Sequence, residues 1–203
     1  MLLDALRTNT RPAHERLEAR LSILRPDLTL AQYTDLLRRQ YLLYLPLEAQ
    51  VGRAIPAHWL ALLDWPERRK THLLGADLQA LGERWPDAGA SAETVRPALP
   101  DEAAAWGALY VLEGATLGGQ VICRHLGPHL GLQPGAGLSF YASYGALVGP
   151  RWKAFLALLE RRHEAAGPQA ATFRAGAVQG ACDTFAAFER WVVPALGPQR
   201  VVA

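Results

Sequence analysis

Apolar residues recur along the chain at intervals of three and four rather than in alternation, the spacing that gathers them on one face of an α-helix. Leu2, Leu3, Leu6, Ala13, Leu17 and Leu21 trace a first helical stripe, which must close before Pro26. Thr29 precedes a second stripe of Leu30, Tyr33, Leu36, Leu37, Tyr41, Tyr44 and Leu47, and its hydroxyl suits an N-cap. That helix should end near Pro56 and bend at Pro46, because proline lacks the amide proton and crowds the turn before it. Residues 57–82 read as one or two shorter helices, with Pro66 marking a helix start. Proline, glycine, alanine and acidic residues dominate 82–100, which reads mostly as surface loop. A long apolar helix is expected over about 101–126, an irregular glycine-rich stretch over 127–149, and two further helices over about 151–166 and 169–192. Short alternating runs closed by Asn-Gly or Asp-Gly turns are missing, so the pattern predicts an all-α chain.

Composition narrows the picture. With 203 residues, half of them hydrophobic, residues 1–203 should form one domain around one core. That apolar content and a formal charge of only +2 exclude disorder. The arginines are scattered with acids among them, which argues against a nucleic-acid protein relying on a concentrated basic face. Cys123 and Cys182 are too far apart for a CxxC pair and too few for a disulfide scaffold, which points to a reducing cytoplasm. The N-terminus lacks the basic start and long apolar stretch of a secretory signal. No run reaches the roughly 20 apolar residues of a membrane helix. The best candidate, 103–122, is interrupted by Glu113 and four glycines.

Three features rise above a generic helical bundle. His14 stands four residues before Glu18 and seven after Arg7, so imidazole and carboxylate share a helix face. A histidine that ligates a metal through one ring nitrogen usually has the other held by such a group; a surface histidine beside an acid is the plainer alternative. The segment Trp106-Gly-Ala-Leu-Tyr-Val-Leu-Glu-Gly-Ala-Thr-Leu-Gly-Gly-Gln120 places Gly107, Gly114 and Gly118 nearly in line, with Ala115 and Gly119 beside them. Each glycine inside a helix costs roughly 1 kcal/mol relative to alanine, so something must approach the backbone closely. Either a flat ligand or a neighbouring helix would serve. Third, Arg7, Arg151, Lys153 and the tyrosines at 110, 141 and 144 could as a group face a carboxylated ligand. His58, His72, His125, His129 and His163 read as structural or exposed, and the two cysteines as small buried hydrophobes.

At these residues the chain resembles the heme oxygenases, most closely the bacterial subfamily that supplies biliverdin to bacteriophytochromes. Thr10-Arg-Pro-Ala-His14 is similar to the family's Thr-x-x-x-His stretch, whose histidine is the proximal heme ligand. Tyr110-Val-Leu-Glu-Gly-Ala-Thr-Leu-Gly118 is similar to its Tyr-x-x-Glu-Gly-x-x-Leu-Gly motif, which forms a kinked distal helix over the heme. The likeness runs over almost the full length, through Phe155 to the closing Phe185-Ala-Ala-Phe-Glu-Arg-Trp191. It implies a single-domain helical bundle with heme sandwiched between the two helices, and His14 as the metal ligand. By the same resemblance, Gly114 and Gly118 leave room above the iron for dioxygen, with Ala115 and Gly119 alongside. Arg7 and Lys153 meet the propionates as charge partners, and Tyr110 stands at the same edge or pocket wall.

Two positions depart from the pattern. The animal enzymes carry an aspartate directly after the first distal glycine, where it anchors a water network, and bacterial relatives commonly have serine; here the residue is Ala115. Pro12 precedes the histidine, so the helix should either start at a Thr10 cap or bend there. The resemblance implies oxidative cleavage of heme, as substrate and cofactor, to biliverdin, carbon monoxide and iron. Electrons would come from a ferredoxin or a reductase, and a bacteriophytochrome would take the product. Two alternatives stay open on the sequence: a heme-binding or heme-trafficking protein that does not turn over, and another enzyme of the same helical architecture.

Overall fold

In the computed structural model, which describes residues 1–86 and 97–196, helix α1 (Leu2–Arg20) continues as one element through Pro12. Thr10 is not a cap: it is buried, and its hydroxyl donates to the Leu6 carbonyl at 2.8 Å. The helix begins a full two turns earlier because Leu2 and Leu6 are completely buried. Burial of a leucine contributes roughly 1.5–3 kcal/mol, so the pair offsets the roughly 3 kcal/mol cost of an internal proline.

Helix α2 (Leu30–Ala54) starts as expected, with Thr29 and Gln32 forming a reciprocal capping box, and it continues as one element through Pro46. The 57–82 region holds three helices rather than one or two: α3 (Ala57–Leu63), α4 (Trp65–Arg68) and α5 (Thr71–Ala80). Asp64, left-handed at φ 55°, separates the first two, and Pro66 lies in the first turn of α4. Much of the expected 82–100 loop, residues 87–96, lies outside the described residues.

The long apolar helix is present but broken. Its first half, α6 (Glu102–Gly114), is capped by Asp101, whose carboxylate accepts from the Ala104 amide at 2.8 Å. A 3₁₀ turn over Ala115–Gly118 follows, and α7 (Gly119–Leu130) resumes beyond it. The 127–149 stretch is therefore less irregular than its glycines suggest. It begins in the last turn of α7, carries the short α8 (Ser139–Ala142), and ends where α9 (Val148–Ala165) starts. The buried Asp77 carboxylate accepts from the Ser139 and Phe140 amides, both at 2.8 Å, and so ties α8 to α5. Helix α10 (Ala170–Trp191) matches the last predicted segment. Among the described residues there is no strand, and no helix is long and apolar enough to cross a membrane.

Helix α10 is the floor on which the rest is assembled. Helices α1 and α6 both pack along it. The α6 contact is made by backbone: a Cβ added to Gly107 would lie 1.9 Å from the Ala177 carbonyl oxygen, and one on Gly180 would lie 2.2 Å from that of Ala104. Trp106, fully buried, fills the space beside this crossing against Trp59 and Phe155. Gly107 thus serves close helix packing, the plainer of the two readings that its spacing allowed. Because the obstructing atoms are backbone, Gly107→Ala and Gly180→Ala should each destabilise the fold by about 3 kcal/mol. A lowered denaturant midpoint at unchanged m-value would register the loss; unchanged midpoints would contradict the crossing.

Candidate active site

Helix α1 presents Arg7, Thr10 and His14 within two turns of one another, on the side bordering its buried stripe. His14 is exposed, with its Nδ1 3.5 Å from a Glu18 carboxylate oxygen and the edge of its ring against Phe185 of α10. The i, i+4 carboxylate and the aromatic contact restrict the imidazole while leaving it accessible, the arrangement a ligand histidine needs. Arg7 is exposed on the same helix, and its charge reaches Tyr110 of α6. Burial raises the Tyr110 phenol above its ordinary range, while Arg7 and a hydrogen bond with Thr10 draw it back. The structure therefore brings the first turns of α1 and the middle of α6 together at this tyrosine.

Beyond Tyr110, α6 and the 3₁₀ turn offer an open apolar face. A Cβ on Gly118 would meet nothing within 4 Å, and one on Gly114 would touch only the rim of the Trp152 ring, at 3.7 Å. Leu117 and Val121, three and seven residues beyond Gly114, are 47% and 48% exposed. Exposed large apolar side chains beside side-chain-free backbone make a surface suited to a flat hydrophobic ligand. Tyr110 and Trp152, with ring centroids 5.5 Å apart, form its wall. Gly119 faces the other way: its Cα packs on the Tyr141 backbone, where a Cβ would come 2.0 Å from the carbonyl oxygen. Of the glycines in this helix, Gly114 and Gly118 alone look out on the open face, whereas Gly107 and Gly119 are packed against backbone.

Behind the 3₁₀ turn lies a cluster of buried charges that the spacing of the sequence did not assign. Glu113, in the last turn of α6, is only 2% exposed and accepts a short hydrogen bond from Arg68 Nη1. Its other oxygen accepts from the Tyr144 hydroxyl at 2.7 Å. That hydroxyl in turn accepts from Lys70 Nζ at 2.5 Å, and Lys70 also donates to the Arg68 carbonyl. Glu48 of α2 accepts from the Lys70 and Thr71 amides and from the Thr71 hydroxyl. Two carboxylates and two cations are thus withdrawn from water together, with their hydrogen-bonding capacity turned inward. Burial lowers the Lys70 ammonium to about 8, against the opposing pull of Glu113 and Glu48. Burial, together with the Glu113 charge, pushes the Tyr144 phenol well up. The available sequence signal was a charge inside an apolar run, at Glu48 and Glu113.

The remaining candidates divide. Lys153 is exposed on α9, in the turn that carries Trp152. Arg151 is committed instead to Asp64 at 3.2 Å and to the face of Tyr144. Tyr141 is buried and its hydroxyl donates to Gln40, so neither it nor Tyr144 belongs to the open face. His129 and His163 have backbone carbonyl partners at Leu28 and Ala170, which fits structural roles. Cys123 and Cys182 are free and half-buried.

The family model described as heme oxygenase matches residues 1–193. The chain is 37% identical over 160 residues to a protein from Xanthomonas campestris pv. campestris (strain 8004) named heme oxygenase, a match that covers 77% of this chain and 86% of that one. A histidine on the first helix, a glycine face on a broken sixth helix and a family match that spans both together place this chain in the heme oxygenase family.

Proposed function

We propose that this chain acts as one domain over residues 1–203, cleaving heme with dioxygen and electrons to biliverdin, carbon monoxide and iron. The observation that carries the reading is the open face at Gly118, flanked by exposed Leu117 and Val121, on a chain whose first helix offers a steadied imidazole. Heme would be substrate and cofactor at once. Among the described residues no three His, Cys, Asp or Glu side chains converge as a metal site. Heme would bring its own ring of nitrogen ligands, so His14 would need to supply one further ligand to the iron.

In this reading His14 is the metal ligand and Glu18 fixes the orientation of its ring. Gly114 and Gly118, which carry no side chain toward the open face, would let the backbone approach the bound ring and leave room there for dioxygen. Ala115 and Gly119 continue that segment. Arg7, near Tyr110, and Lys153, one residue past Trp152, supply positive charge for the two propionates. When bound, heme supplies the iron that activates oxygen and the meso carbon at which the ring opens. The protein's contribution would be to orient the ring and, at Gly114 and Gly118, to keep side-chain bulk and side-chain ligands away from where dioxygen is taken up. Electrons would come from a ferredoxin or a reductase. Two free cysteines suit a reducing cytoplasm, and a bacteriophytochrome is the proposed acceptor of the biliverdin.

Hemin added to the purified protein should give a histidine-ligated spectrum that His14→Ala abolishes; an unchanged spectrum in the variant would remove His14 from the iron. With ascorbate or a ferredoxin system under air, the Soret band should decay as biliverdin absorbance grows. A stable Soret band without biliverdin would instead identify a heme carrier. Gly118→Leu separates fold from function, because its side chain enters open space and replaces a poor helix former at a gain of up to about 1 kcal/mol. It should melt no lower than the parent yet bind hemin at least tenfold more weakly. Parental hemin affinity would displace the ring from this face.

A further inference from the structure

Backbone stops the 3₁₀ turn from one side and leaves it free on the other. Gly119 lies so close to α8 that a Cβ would come 2.0 Å from the Tyr141 carbonyl oxygen, whereas one on Gly118 would meet nothing within 4 Å. The turn can therefore advance toward the open face but cannot recede through α8. Cys123, one turn further along α7, reaches the same segment, its Sγ 4.0 Å from the Leu138 carbonyl. Asp77 of α5 holds that segment in place. Its carboxylate is fully buried and its two oxygens accept separately, one from the Ser139 amide and one from the Phe140 amide, each at 2.8 Å. Burial raises the carboxyl above its ordinary range, and the amides pull it back toward the charged form. Only a carboxylate offers an acceptor at both places; an asparagine would set its NH₂ against one of the two amides. From α2, the Tyr33 hydroxyl donates to the Gly137 carbonyl at 2.7 Å and Tyr44 packs edge-on to Phe140.

We infer that Asp77 is a positioning residue for the ligand face: by fixing the backbone on which Gly119 rests, it sets how closely the Gly114–Gly118 segment stands over a ring bound there. The inference rests on the heme-binding function proposed above. Asp77 acts through two contacts in series, its carboxylate on the 139–141 backbone and that backbone on Gly119. The open segment is then bounded at both ends, since α10 blocks Gly107 and α8 blocks Gly119, with Gly114 and Gly118 between them. The two contacts predict opposite displacements. Loss of an Asp77 bond loosens the backstop, so the turn recedes and the room over the ring grows. A methyl added at Gly119 forces α7 and the Tyr141 oxygen apart by about 1 Å to reach an ordinary contact, and the turn advances into that room.

The opposed signs provide the test. Imidazole fills the space over ferric heme and cyanide, a slender ligand, does not, so the ratio of their affinities for the hemin-bound protein reads that space, and changes at His14 largely cancel. Asp77→Asn should raise the imidazole-to-cyanide ratio about tenfold and Gly119→Ala should lower it about as much. Shifts of the same sign, or none, overturn the inference. Amide hydrogen exchange in the ligand-free parent needs neither heme nor a variant. Amides of residues 118–121 and 139–142 should open as one unit, with a common free energy and denaturant slope; independent opening overturns the inference as well. In Asp77→Asn both stretches should exchange about tenfold faster while the α1 amides keep their parental rates. Uniform acceleration would reduce Asp77 to an ordinary contributor to stability. A parent protein that does not bind hemin would sink the heme reading, and the exchange result would still decide whether Asp77 holds the turn.

Discussion

The backbone-to-backbone contact between α6 and α10 is the constraint from which the site's geometry descends. With glycine on both sides, at 107 and 180, the two helices approach until the Cα of each lies against a carbonyl oxygen of the other. Such a crossing has little freedom to slide or rotate, since interiors of this density transmit displacement rather than absorb it. Helix α1 rests on the same α10, with His14 against Phe185. The histidine helix and the glycine-faced helix thus share one rigid reference, although about a hundred residues separate His14 from Gly114 in the sequence. This is the support a binding site needs, because side chains on well-packed helices hold position better than side chains on loops.

The break at Ala115–Gly118 has a physical partner in the charges behind it. Glu113, with Arg68, Lys70 and Tyr144 around its carboxylate, closes α6 immediately before the change of helical type. Removal of a single member of such a buried set is costly, about 3–5 kcal/mol, because the remaining charge loses its partner without regaining water. The glycines make the segment permissive; the carboxylate anchors its near end. Two distinct requirements, an open face and a fixed approach to it, are therefore met by adjacent residues of one motif.

Much of the fold was legible in the chain. The α2 start could be read from Thr29, the all-α class from the three-four spacing, and the last two helices to within a few residues, because local capping and periodicity decide these features. The start of α1 was less legible, since burial of Leu2 and Leu6 against distant helices overrides the local signal of Thr10 and Pro12. Gly107 and Gly118 looked alike in sequence and have opposite roles. Only the position of Ala177 on a helix 70 residues later distinguishes them. His14 with Glu18 and the Tyr110–Gly118 motif could be found because each is local. The Glu48, Arg68, Lys70, Glu113 and Tyr144 cluster could not, for its members come from widely separated segments and meet only through tertiary packing.

The apolar surface left bare at Leu117 and Val121 has a consequence for the protein's life in a cell. A ligand that covers this face binds the native state and not the unfolded chain, so it adds RT ln(1 + [L]/Kd) to stability, about 2.7 kcal/mol at a hundredfold excess over Kd. For a protein of ordinary marginal stability, that increment changes the unfolded fraction about a hundredfold. If the ligand of this face is the proposed substrate, substrate supply and protein lifetime would be linked by mass action: the chain would persist longest while that ligand is present and become the easier target for proteolysis once it is gone.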